Sequence, residues 1–319
     1  MATVPQLTMS RSHSLLRGSL VFLALLVTTR FVLELAGVSQ TGTRYLSGSA
    51  GLFLAAIFIG AVAPLRGVHK LVKLALPAVI LSVWTVGWIV LYTVISAVFR
   101  LQRSHYAEPE DYGNWTHLGH HLLEHVLEIG IFAMVAFILM TVPFLLRRWP
   151  ITVAPAAVLG GLVIMRYTTE ALGADPARAA AWSSTVGILL CGFYLGGSAR
   201  WFGISSGGQL LVPAVVLGWT WRFWAFFAAL LSAAFYKTHF FDPSQGQVVA
   251  RLLRLLGFSV VEGFLAGLLV VWIIALWIFG ATGETAVVVG SQKATPGTPE
   301  PGRLHEEGTG GNVMRKGIA

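Results

Sequence analysis

Long apolar runs broken by short polar connections occupy the chain from about residue 18 to residue 280. A helix crosses the hydrocarbon layer with about 20 apolar residues, and in lipid every backbone polar group must be paired within the protein. The pattern therefore predicts an all-α, polytopic transmembrane helical bundle of about eight spans. They fall near 18–37, 47–65, 74–99, 117–146, 151–167, 181–197, 209–236 and 258–279. Residues 1–17 form a polar amino-terminal arm, 18–280 the transmembrane domain, and 281–319 a tail whose Gly, Pro, Thr and charges predict disorder. The first apolar run is too long for a signal-peptide core and contains Arg30 and Glu34, so it is expected to stay as a span.

Two stretches break the regularity. The second span carries many small residues, including Gly48, Gly51, Ala55, Ala56 and Gly60, which permit close helix contact. The seventh is interrupted by Pro213, Gly218 and Arg222. Either a kinked helix or a re-entrant piece plus a helix fits it. Val248 to Leu256, with Arg251 and Arg254, has the pattern of a short amphipathic helix lying at an interface.

Composition agrees with the pattern. The chain is 55% hydrophobic and 11% charged, against about a quarter charged in soluble domains. The net charge of +8 comes from basic residues standing singly or in pairs between spans, so nucleic acid is not an expected partner. With both ends inside, twelve Lys and Arg fall on inner segments and eight on outer ones, which sets the expected orientation. Cys191 is the only cysteine, so no intrachain disulfide forms, and its apolar run makes it a packing residue. Short loops and the lack of organelle-targeting features favour a multi-pass protein of a prokaryotic cytoplasmic membrane.

The chemistry concentrates in Trp115–Gly130. His117, His121, Glu124, His125 and Glu128 recur at spacings of three or four and share one helix face. Imidazole and carboxylate are common ligands for Zn, Fe or Cu. His121 and His125 are placed to share one ion, with Glu124 or Glu128 as a further ligand or an orienting group. A complete metal site needs ligands from elsewhere, for which Glu34, Glu262, His105 and His239 are the candidates. Counting about 1.5 Å per residue from the outer ends of the spans puts His121 about 5 Å deep, His125 about 11 Å and Glu128 about 15 Å. The same count puts Glu34 at about 5 Å, Arg30 at about 11 Å and Glu262 at about 6 Å. Ionisable groups inside a membrane mark functional sites by default. Arg30, Glu34, His121, His125, Glu128 and Glu262 are thus expected to meet in a pocket of the outer leaflet.

Known signatures narrow the chemistry. His117-Leu-Gly-His-His121 has the spacing of a desaturase histidine box, but those enzymes use several boxes and this chain has one. The His-Glu-x-x-His pattern and the Gly-x-x-x-x-Gly-Lys loop are absent. His121 and His125 share a face and cannot be opposite axial ligands of one haem; His125 with His105 or His239 remains. The leading expectation is a membrane subunit whose His/Glu pocket binds a metal ion, a haem or a quinone-like molecule. Its partners would be the bilayer and other membrane subunits or a second copy, in a larger redox assembly. A proton- or ion-coupled carrier using the same charges, and a structural subunit, are the alternatives.

Overall fold

The computed structural model describes the backbone of residues 10–235 and 248–292 and the side chains of 16–235 and 252–282. Among these residues there is no strand, and eight helical stretches are long and apolar enough to cross a membrane. The chain is a multi-pass, all-α membrane protein. The spanning helices are α1 (Ser10–Leu35), α2 (Gly48–Val62), α3 (Ala75–Val98), α4 (Trp115–Leu145), α5 (Pro150–Ala171), α6 (Ser184–Ser198) and α7 (Leu211–Ala234). The last span begins as α8 (Val248–Leu265), passes through a π-helical segment (Ala266–Trp272) and continues as α9 (Ile273–Gln292). By packing, residues 1–280 form one unit and 281–319 another. In the second unit the backbone is helical to Gln292, and the remainder of the expected tail, 293–319, lies outside the described residues, as does His239.

Helix ends follow local chemistry. Ser47 caps α2 by accepting from the Ala50 N–H, and Asn114 caps α4 by accepting from the His117 N–H at 3.1 Å. Pro77 and Pro213 sit in the first turns of α3 and α7, where a missing N–H leaves no gap in the ladder.

Small residues set the centre. α2 is the most enclosed span, with 67% of its apolar window buried. Its Gly60 lies directly against the Met140 backbone of α4, and its Gly51 against Leu26 and Leu23 of α1. α7 packs on α5 and α8. Gly160 of α5 receives the ring of Trp224, which is fully buried and donates its indole N–H to the Ala156 carbonyl at 3.0 Å. Trp84 to Leu20 and Trp219 to Val260 repeat this indole-to-carbonyl tie between helices.

Three features bear on the sequence pattern. First, of the two forms expected for the seventh span, α7 is the single helix and not a re-entrant piece plus a helix. Gly218 meets Gly263 and Gly267 of the last span, so it marks a close approach and not a break. Second, Val248–Leu256 is the first part of α8, not a separate interfacial helix. Third, α4 has 31 residues and is about 46 Å long, against about 30 Å of hydrocarbon. It is therefore longer than the hydrocarbon is thick, and it ends at Arg147 and Arg148.

Glycine substitutions separate packing from propensity. Gly160→Ala drives its Cβ to 2.6 Å from the Trp224 ring and should lower stability by about 1–3 kcal/mol. Gly87 in α3 has open space around it, and Gly87→Ala should be neutral or stabilising by up to about 1 kcal/mol. Thermal unfolding of the detergent-solubilised protein, read by tryptophan fluorescence, distinguishes the two. Equal melting temperatures for both variants contradict this packing.

Candidate functional site

The loop between α3 and α4 organises one end of the bundle. Arg100 turns the chain out of α3 in the left-handed region, at φ 50°. Ser96 and Ser104 join across the turn at 2.7 Å. Tyr106 then inserts its ring beside Phe31 and Tyr92, at centroid distances of 6.0 and 5.8 Å. Its burial raises the phenol pKa well above the usual range. A short turn at Pro109–Asp111 follows, held by the Glu108 N–H donating to Asp111 Oδ2 at 2.8 Å. These anchors make a cap of the loop and turn two of its side chains inward.

The first is His105, which meets Glu34. Glu34 is completely buried and accepts four hydrogen bonds. Oε1 takes Arg30 Nε at 3.1 Å and Thr43 Oγ1 at 2.8 Å. Oε2 takes the His105 backbone N–H at 3.1 Å and its Nδ1 at 2.7 Å. Burial pulls the His105 pKa down, the Glu34 hydrogen bond opposes this, and the Arg30 charge adds to the lowering. The ring is thus neutral at neutral pH. With Nδ1–H donated to Glu34, Nε2 carries the free lone pair.

The second is Asp111, also buried. Its Oδ1 faces His117 Nδ1 at 2.7 Å and its Oδ2 faces His121 Nδ1 at 2.9 Å. Burial would raise its pKa, but the bonds from His117, the Glu108 N–H and His121 outweigh this and hold it below the usual carboxylate value. One turn further, His125 Nδ1 lies 3.1 Å from Glu128 Oε2. The rings of His121 and His125 are 4.9 Å apart. His105, His117, His121 and His125 therefore share one arrangement, with Nδ1 held by a carboxylate and Nε2 left over.

Three of these imidazoles, His105, His121 and His125, line one cavity of about 660 Å³, together with Arg30 and Glu128. Ser47, Ser49, Tyr167 and Thr168 add polar groups. The rest of the wall is apolar, with Phe53, Ile89, Ile131, Phe132, Leu231 and Phe235. The cavity thus draws on α1, α2, α3, α4, α5 and α7 at one end of the bundle.

The remaining sequence-predicted residues are placed as follows. Glu34 stands behind Arg30 and His105 as their anchor and does not line the cavity. Glu262 is away from it altogether, paired with Arg222 at 2.7 Å. The glycine contact of α7 with the last span sets that pairing. Glu124 is exposed, and His120 bonds the Thr116 carbonyl at the exposed start of α4. Among the described residues, no group of three or more His, Cys, Asp or Glu is arranged to hold a metal ion. Asp111 was not among the predicted site residues. Its one sequence signal is its place three residues before the Asn114 cap, which lets a bent loop return it to His117 and His121. No family model matches this chain, and comparison with curated proteins and with solved structures gave no match either.

The loop should be pH-sensitive in a defined direction. His105 has a folded-state pKa below the ordinary imidazole value, so the folded chain binds that proton more weakly than the unfolded chain. The groups facing it are Glu34, Arg30 and Tyr106. Its stabilisation is complete above about pH 6.5 and is lost as pH falls below that value. Amide hydrogen exchange across 101–112, corrected for intrinsic rates, should be faster at about pH 5.5 than at about pH 7.5. His105→Gln should remove most of the difference. Equal protection at both pH values would rule this out.

Proposed function

We propose that this chain is a membrane subunit that binds a quinone-like molecule in the outer-end cavity, as part of a larger membrane redox assembly. The observation that carries the reading is the convergence of His105, His121 and His125 on one cavity, each with Nδ1 fixed by a carboxylate. A carboxylate on Nδ1 sets the tautomer and leaves Nε2 as the free acceptor. Imidazoles so held suit hydrogen bonding and proton exchange with ring oxygens. The apolar wall suits a hydrocarbon tail, and about 660 Å³ is within the range of small-molecule sites.

The other ligands of the sequence reading fit less well. Haem needs axial groups on opposite sides, whereas His121 and His125 sit 4.9 Å apart on one helix face. A metal ion needs more converging donors than that pair supplies. The carrier alternative drew on a broken seventh helix, and α7 is continuous. The sidedness follows the basic residues of the inner segments, and the short loops fit a prokaryotic cytoplasmic membrane.

The test is chemical. Organic extracts of the purified protein should contain an isoprenoid quinone in stoichiometric amount. Binding of decylubiquinone to the delipidated protein should weaken by about tenfold or more in the His121→Ala/His125→Ala double variant, as expected for losing two hydrogen bonds to buried groups. Quinone-free extracts together with a wild-type protein that ignores the probe would overturn the reading.

A further inference from the structure

The Arg222–Glu262 ion pair is placed unlike Arg30–Glu34 and Arg166–Glu170, whose carboxylates are buried. Arg222 lies at the middle of the 24-residue helix α7, far from either interface. Its Nη2 is 2.7 Å from Glu262 Oε2, so Glu262 lies at the same depth. Yet the Glu262 side chain is 51% exposed and lines no part of the cavity. It therefore opens onto the outer surface of the bundle. Arg222 Nε is buried without a hydrogen-bond partner. The last span is the least enclosed of all, with 17% of its window buried. Around Glu262 its surface is a stripe, Phe258, Glu262, Leu265 and Leu269, at spacings of four, three and four, with the apolar members exposed. Hydrocarbon is a poor environment for a half-exposed carboxylate.

We propose that this face docks a second copy of the same chain, in a two-fold dimer where Arg222 of each copy meets Glu262 of the other. The argument is one of symmetry. A closed symmetric dimer of copies inserted in the same orientation has its two-fold axis along the membrane normal, which makes the interface isologous. Arg222 and Glu262 stand side by side at one depth, on neighbouring helices held together by Gly218, Gly263 and Gly267. A facing copy rotated about that axis presents the same pair in reversed lateral order. Cation then lies opposite anion twice, in a closed ring of four alternating charges. A patch carrying both signs side by side is complementary to itself. The stripe on the last span supplies the apolar contact around it. This proposal is independent of what the cavity binds.

The experiment uses the full chain in lipid bilayers, with oligomeric state read by single-molecule photobleaching. The wild type should be dimeric. Arg222→Gln alone and Glu262→Gln alone should each weaken dimerisation by about tenfold. Both variants lack the pair within one chain, but a mixed dimer of the two restores one cross-copy pair. Co-expressed under different tags, they should form mixed dimers in preference to either homodimer. Leu265→Cys should cross-link to its copy in the wild-type background and not in Glu262→Gln; Cys191 is buried and does not compete. A monomeric wild type, a dimer indifferent to both variants, mixed dimers no more abundant than homodimers, or a different subunit on this face would each overturn the proposal.

Discussion

A single buried carboxylate holds one end of this protein together. Glu34 has no contact with solvent, and an unpaired charge in that position would cost several kcal/mol. Its four donors come from three places: Arg30 one turn back on α1, Thr43 after the turn that leaves α1, and His105 in the loop between α3 and α4. Each donor fixes a piece of backbone. The end of α1, the entry to α2 and the cap loop are placed relative to one another because the carboxylate needs all of them. Removing Glu34 would free the loop and leave the Arg30 guanidinium without its counter-charge.

The same logic places the rest of the site. Asp111 is carried by the cap loop, so it reaches His117 and His121 only while that loop is docked. The loop in turn is docked by His105 on Glu34 and by Tyr106 among Phe31 and Tyr92. The cavity imidazoles are therefore linked to α1 through a chain of carboxylates. This explains why so many histidines tolerate the edge of a membrane: each one tied to a carboxylate has a fixed proton on Nδ1, and only Nε2 remains to be satisfied. His105, His121 and His125 line the cavity, whereas His117 is more exposed and does not.

Much of the fold was legible because a membrane span is a local property. Twenty apolar residues declare a helix without reference to anything else, and the eight expected spans match the eight helical stretches. Gly60 and Gly51 were likewise legible as close-contact positions. The failures arose where the meaning of a residue depends on a distant one. Gly218 looked like a break because a glycine inside a span has two readings, and only Gly263 and Gly267 across the contact decide between them. Glu262 was assigned to the outer pocket by counting residues along one span, but depth alone does not say which side of a helix a residue faces. Arg30, His121, His125 and Glu128 do converge on one cavity, whereas the link from Glu34 to His105 spans 71 residues and has no periodic signature.

Glu34 and Glu262 show two ways of keeping a carboxylate inside a bilayer. Glu34 is enclosed, and the protein supplies every donor it needs. Glu262 is half exposed at the depth of mid-helix Arg222, with a single strong partner. Desolvation penalises both; the first is compensated by four donors and the second by one cation. A fold able to surround one carboxylate with four donors is not short of means to cover another. That Glu262 stands on the least enclosed span, beside an arginine with an unmatched Nε, is what a surface shaped by a partner would require. The hydrogen bonding of the first site is completed by a loop, whereas the second leaves a guanidinium nitrogen unmatched beside an exposed carboxylate.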